Sequence, residues 1–218
     1  MTGKRFGFAQ IRRNPRIPFA GCAGILAAAL GVTITTPPPA TATWTIRPGG
    51  AITARSGRAI VRDTATGSII SCRSVSASGT LKSGSGLSGA SAGSVSAAGF
   101  HMCTVADLTF MLRPAGLPWH LNLSSYTSGV TAGTISHLHV NASGFGCSVV
   151  IDGTAATARD GIVRFTYADS TGRLKLLTTG GNLHFYPVRD CAGLISDGDP
   201  ATLSATFTVV PKQTITSP

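Results

Sequence analysis

The chain contains no glutamate; all eight of its acids are aspartates. Paired-carboxylate chemistry would have only Asp to draw on, and no two aspartates sit in a recognisable pairing motif. No Cys-x-x-Cys pair occurs, which argues against a zinc ribbon or a thioredoxin-like redox centre. Charged residues make up only 12% of the chain, and no Lys/Arg cluster is interleaved with aromatics, so no nucleic-acid partner is expected. The apolar run Ile17–Val32 has sixteen residues, short of the roughly 20 that span a bilayer core.

The N-terminus is informative. Residues 1–16 carry Lys4, Arg5, Arg12, Arg13 and Arg16 and no acid. The apolar run follows, then Pro37, Pro38 and Pro39, then the small-residue triplet Ala40-Thr41-Ala42. A basic start, a short apolar core and an A-x-A site are the three parts of a secretory signal peptide. Residues 1–42 are therefore expected to be the signal, cut between Ala42 and Thr43, with retention as an anchor as the alternative. Cys22 falls early in the apolar run, where it serves as a small apolar residue. Residues 43–218 form the expected secreted or envelope-associated domain, which is not expected to span a membrane. Five bases leave with the signal, so thirteen bases face eight acids, a net charge of +5. That excess allows a modest affinity for anionic envelope polymers.

Cys72, Cys103, Cys147 and Cys191 remain after cleavage, an even count that argues for two disulfides in an exported chain. Three pairings are open. A weak internal repeat chooses among them: Gly93–Cys103 and Gly181–Cys191 share a Gly ten residues before the Cys and apolar residues at matching positions between. Two related halves, 43–127 and 128–210 with a tail at 211–218, would each close one bridge, Cys72–Cys103 and Cys147–Cys191.

Short alternating runs recur between Gly, Pro, Asn and Asp turns. Gly161-Ile-Val-Arg-Phe-Thr-Tyr167 and Thr202-Leu-Ser-Ala-Thr-Phe-Thr-Val-Val210 are the clearest, β-branched or aromatic with period two. No segment after residue 42 shows a helical apolar period. The expectation is an all-β fold, a disulfide-stapled sandwich or barrel. Ser83–Ala98 is nearly all Gly, Ser and Ala, and reads as a loop or a poorly packed edge.

The best candidate site is Ser136-His137-Leu138-His139-Val140. In a regular strand His137 and His139 share one face, where two imidazoles suit zinc or copper; the plainer reading is a solvated strand face, and no metal or cofactor is assigned. His120 and His184 are conceivable further ligands. Gly84-Ser-Gly-Leu-Ser-Gly89 lacks the spacing of a serine-hydrolase elbow and reads as a loop. Asp197-Gly-Asp199 reads as a turn. Trp44, Trp119, Tyr126, Tyr167 and Tyr186 would stack on sugars if exposed but fit a small β core, with Trp119 as its anchor.

Residues 77–89 (ASGTLKSGSGLSG), 115–122 (AGLPWHLN), 128–136 (SGVTAGTIS) and 205–218 (ATFTVVPKQTITSP) resemble secreted proteins of actinobacteria such as streptomycetes. The resemblance implies export by a Gram-positive bacterium and a β-rich extracytoplasmic domain; it carries no activity, cofactor or site residue. The functional expectation is a non-enzymatic exported domain with a structural or binding role at the envelope, its partner a wall polymer or a protein. The alternatives are an exported metal-binding protein or hydrolase using His137 and His139, and a membrane-inserting β-pore.

Overall fold

The computed structural model describes residues 43–217. The expected signal segment, Ala42 included, lies outside the described residues; Thr43 is the first of them. Every regular element described is a strand. In chain order these are β1 (Trp44–Arg47), β2 (Gly50–Ser56), β3 (Ala59–Asp63), β4 (Ile69–Leu81), β5 (Gly84–Leu87) and β6 (Gly93–Val105). Then come β7 (Leu108–Thr109), β8 (Met111–Ala115), β9 (Trp119–Thr127), β10 (Val130–Gly144), β11 (Cys147–Asp152) and β12 (Gly161–Ala168). The last are β13 (Arg173–Leu177), β14 (His184–Arg189), β15 (Ala201–Ser204), β16 (Thr206–Val210) and β17 (Thr214–Thr216).

Eight of these strands close on themselves. β2 pairs with β4, β4 with β6, β6 with β9, β9 with β10, β10 with β12, β12 with β13, β13 with β16, and β16 returns to β2. All pairings are antiparallel and the staves follow chain order, so the fold is an up-and-down barrel. Of the two architectures open in the sequence, closure selects this one, and it removes the unpaired edges an open sheet would expose.

Side-chain alternation drives the closure. Along β12, Val163, Phe165 and Tyr167 are buried while Arg164 is exposed. β9 does the same with Trp119, Leu121 and Leu123. Each large apolar side chain moved inside contributes about 1.5–3 kcal/mol. Trp119 is the core anchor expected of it, its Nε1 donating to the Ala115 carbonyl at 3.1 Å.

The Gly/Ser/Ala stretch is wall rather than loop, which corrects the reading of Ser83–Ala98. Its second half begins β6, which packs against both β4 and β9. Small residues are needed there for space: a Cβ on Gly93 would lie 2.5 Å from Leu81 Cδ2 and 2.6 Å from the Thr80 carbonyl oxygen. Its first half holds β5, in a separate three-stranded sheet with β1 and β17. That sheet, with Trp44, Ile46 and Ile215 buried, lies at the barrel end where β4, β12 and β16 finish. Tyr167 ties it down: its hydroxyl donates to the Gln213 carbonyl at 2.9 Å and accepts from the Gln213 N–H at 2.8 Å. Residues 211–218, expected as a tail, thus supply a strand to the fold.

At the other end the long strands outrun the barrel. The first part of β4 pairs with β3, and the second part of β10 lies between β8 and β11. Cys72 and Cys103 are direct neighbours on β4 and β6, and Cys147 on β11 bonds Cys191 just past β14. Both disulfides have the expected partners and belong to an oxidising, extracytoplasmic environment. The repeat segments nonetheless play different parts: β6 is a stave of the barrel, whereas β14 pairs only with β11.

Candidate functional site

The barrel interior is a core. Three adjoining voids run down it, of about 60, 50 and 30 Å³, with apolar linings that share Val95, Leu121, Ile135 and Phe207 among them. A cavity of about 150 Å³ is what holds a benzene-sized molecule. Chemistry directed at a larger molecule therefore belongs to the outer surface.

There a basic groove stands out. An open depression of about 430 Å³ is lined by Gly57, Arg58, Ile60, Arg173, Lys175, Leu176, Ser204, Ala205 and Thr206. It forms where the chain passes at Ala205 from β15, paired with β3, into β16, paired with β13 and β2. Arg58 is held by a bond from its Nε to Ser71 Oγ at 3.1 Å. The antiparallel register places Arg55, Thr208 and Arg173 in one row across β2, β16 and β13. Lys175 lies in the next row, between Thr206 and Thr166, and Arg164 stands on the same outer face of β12. Neighbouring strands are about 4.8 Å apart, so five cations share one wall. No acid lines the groove, and among the described residues none of these cations lies within salt-bridge distance of a carboxylate. Read one at a time in the sequence, they looked scattered; Arg58 and Lys175 are brought together only by barrel closure.

The histidines divide differently from the strand-face expectation. A register shift between Ile135 and Leu138 on β10 puts His137 at φ +64°, so the alternation breaks there. His137 is exposed and its ring lies against that of His120 on β9, the centroids 4.8 Å apart. His139 is buried, and its Nδ1 donates to Asp152 Oδ2 at 2.6 Å. Asp152 is itself fully buried and also accepts four backbone N–H groups: Gly153, Asp160 and Gly161 at Oδ1, and Arg159 at Oδ2, over 2.7–3.2 Å. This carboxylate closes the 153–160 loop; His139 is one of its five donors rather than half of a metal site. His184 bonds the carbonyls of Gly153 and Asn182. Among the described residues no three His, Cys, Asp or Glu side chains converge as metal ligands.

Around His120 a polar cluster was not anticipated. Ser91 Oγ lies 3.3 Å from His120 Nδ1, and Ser136 Oγ lies 3.3 Å from His137 Nδ1. Asn122 links the two serines: its Oδ1 accepts the Ser91 N–H at 2.9 Å and its Nδ2 donates to Ser136 Oγ at 3.0 Å. Ser91 sits at φ +48° within Gly89-Ala-Ser-Ala-Gly93, which has the elbow spacing that Gly84–Gly89 lacks. That string was the available signal. However, it bridges two strands rather than a strand and a helix, and no aspartate bonds His120, so a hydrolase triad is not assembled among the described residues.

The remaining candidates are structural. Asp199 Oδ2 accepts the Ser196 N–H within its own turn, and Asp197 Oδ1 accepts the Val188 N–H of β14, tying that turn to the strand. Trp44, Trp119 and Tyr167 are core, and Tyr126 and Tyr186 are half-buried. Compared with protein-family models, curated proteins and solved structures, the chain matches none of them.

Proposed function

We propose that the chain is an exported, non-catalytic binding domain that works at or outside the cell envelope, and that its basic groove engages an anionic wall polymer. The observation that carries this reading is the groove itself: Arg58, Arg173 and Lys175 on its rim, Arg55 and Arg164 beside it, hydroxyls from Ser204 and Thr206 within, and no acid in the lining. Cations with no carboxylate partner among the described residues keep their full attraction for an incoming anion, and an open groove along the wall suits a linear polymer rather than an enclosed small molecule. Export is supported by the basic, apolar and A-T-A segments of residues 1–42 and by the two disulfides. The Gram-positive setting rests on the resemblance to actinobacterial secreted proteins.

The wall argues against the pore alternative. A membrane barrel is apolar outside and polar within; here Phe165, Leu121 and Val209 face inward, while Arg55, Arg164, Arg173 and Lys175 face outward.

The test is titration of the protein with a glycerol-phosphate polymer at low and high salt. A cation near an anionic surface contributes about 1 kcal/mol, so Arg58→Ser/Arg173→Ser/Lys175→Ser should weaken binding roughly 100-fold. Added salt should weaken the wild type as well, and an Arg113→Ser/Arg189→Ser control should bind normally. Equal binding by the triple variant and the wild type, or binding indifferent to salt, overturns the proposal.

A further inference from the structure

We propose that His120 and His137 form a binding site for a late first-row divalent metal ion, zinc or copper, on the outer wall between β9 and β10. It stands apart from the basic groove and does not depend on it.

Distance supplies the first argument. Imidazole nitrogen binds zinc at about 2.0–2.1 Å, and the ring centre lies about 1.2 Å behind it; two imidazoles on one ion at roughly 90–110° then have centroids about 4.5–5.2 Å apart. The His120 and His137 centroids are 4.8 Å apart. That spacing lies within the range one ion would impose.

The hydrogen bonds supply the second. Each Nδ1 faces a serine hydroxyl, Ser91 for His120 and Ser136 for His137, both at 3.3 Å. Neither Nε2 has a hydrogen-bond partner among the described residues. When Nδ1–H donates to the hydroxyl, the lone pair sits on Nε2, and the ring is oriented as in other metal-bound histidines. Ser136 Oγ has room for this: it accepts from Asn122 Nδ2 at 3.0 Å and keeps a second lone pair for His137. Asn122 fixes Ser91 as well, so one side chain sets the spacing of both rings.

Backbone conformation supplies the third. A non-glycine residue at positive φ costs about 1–3 kcal/mol. His137 carries that cost at φ +64°, and the result is an imidazole re-aimed beside His120. Two protein ligands leave the other coordination positions to water, so the ion would be exchangeable and open to a further ligand.

The experiment uses the full-length protein, purified without an affinity tag, freed of metal by chelator and titrated with Zn²⁺ by calorimetry. One ion per chain is expected, with affinity falling at least tenfold in His120→Ala and in His137→Ala, and unchanged in His101→Ala. Since His137 occupies a strained bulge, His120→Gln on the regular strand is a second variant, checked by circular dichroism for its fold. With Cu²⁺ in place of Zn²⁺, electron paramagnetic resonance should lose one nitrogen coupling in His120→Gln. The proposal is overturned if the wild type binds no stoichiometric ion, or if folded variants of both histidines bind as the wild type does.

Discussion

Replacing Asp152 by asparagine exposes what holds the far end of the barrel. The carboxylate is fully buried and meets five donors, three at Oδ1 and two at Oδ2. An amide cannot serve them all. With Nδ2 in place of Oδ1 it would face three backbone N–H groups. In place of Oδ2 it faces the Arg159 N–H, while His139 can adapt by presenting an unprotonated Nδ1. The second arrangement is the cheaper. It leaves the half-buried Arg159 N–H unsatisfied, at about 1–3 kcal/mol, and turns three charge-assisted bonds into neutral ones, each weaker by a fraction of a kcal/mol. The expected loss for Asp152→Asn is about 3 kcal/mol, and more for Asp152→Ala, which strands every donor. Guanidinium unfolding followed by circular dichroism measures it, and hydrogen exchange should show the amides of Arg159, Asp160 and Gly161 deprotected first. A loss below about 1 kcal/mol with unchanged protection of those amides would refute the reasoning.

Other outcomes follow from the same structure. The disulfides close separations of 31 and 44 residues, so removing either by paired Cys→Ala substitution should cost about 3.5–4 kcal/mol by loop entropy, read from the unfolding midpoint. Gly93→Val should destabilise by about 1–3 kcal/mol because its side chain meets Leu81 and the Thr80 backbone, whereas Gly57→Ala, with nothing within 4 Å, should be close to neutral; thermal melts separate them. Hydrogen bonds from the Thr154 side chain, then its backbone, hold the Asp160 carboxyl below the ordinary range. Its contribution is present above about pH 4 and is lost as pH falls through the lowered value, so Asp160→Asn should flatten acid denaturation. Burial pushes the Asp169 carboxyl up against the bond from Ile215 N–H. Its sign is opposite, and relief by Asp169→Asn should appear as pH rises above the ordinary range.

The sequence made the large-residue staves plain. Gly161–Tyr167 alternates apolar and polar with β-branched or aromatic weight and lies in one strand, β12, whereas the run Thr202–Val210 is divided at Ala205 between β15 and β16, which pair with different partners. The cysteine pairing was read from the repeated Gly-to-Cys spacing, and both bridges have that pairing although Cys72–Cys103 joins two paired strands while Cys191 lies just past β14. What escaped was set by space rather than hydropathy. β2 and the start of β6 are mostly Gly, Ala, Ser and Thr, with Ile52, Arg55 and Val95 among them, and the small residues let strands approach, as at Gly93. The bulge at His137 has no Gly or Pro to announce it, so the two-residue period placed His137 with His139 when its neighbour is His120. The groove was hidden for a third reason: Arg58 and Arg173 are far apart in the chain and meet only because β16 returns to β2.

The account rests on a barrel that is bridged and finished outside the cytoplasm. Peptide mapping under non-reducing conditions, with intact mass, of the protein recovered from cells and from culture medium tests this most directly. The expected species is extracytoplasmic, begins at Thr43 and carries Cys72 bonded to Cys103 and Cys147 to Cys191. A full-length chain held in the cell interior with four free thiols at those positions would contradict it.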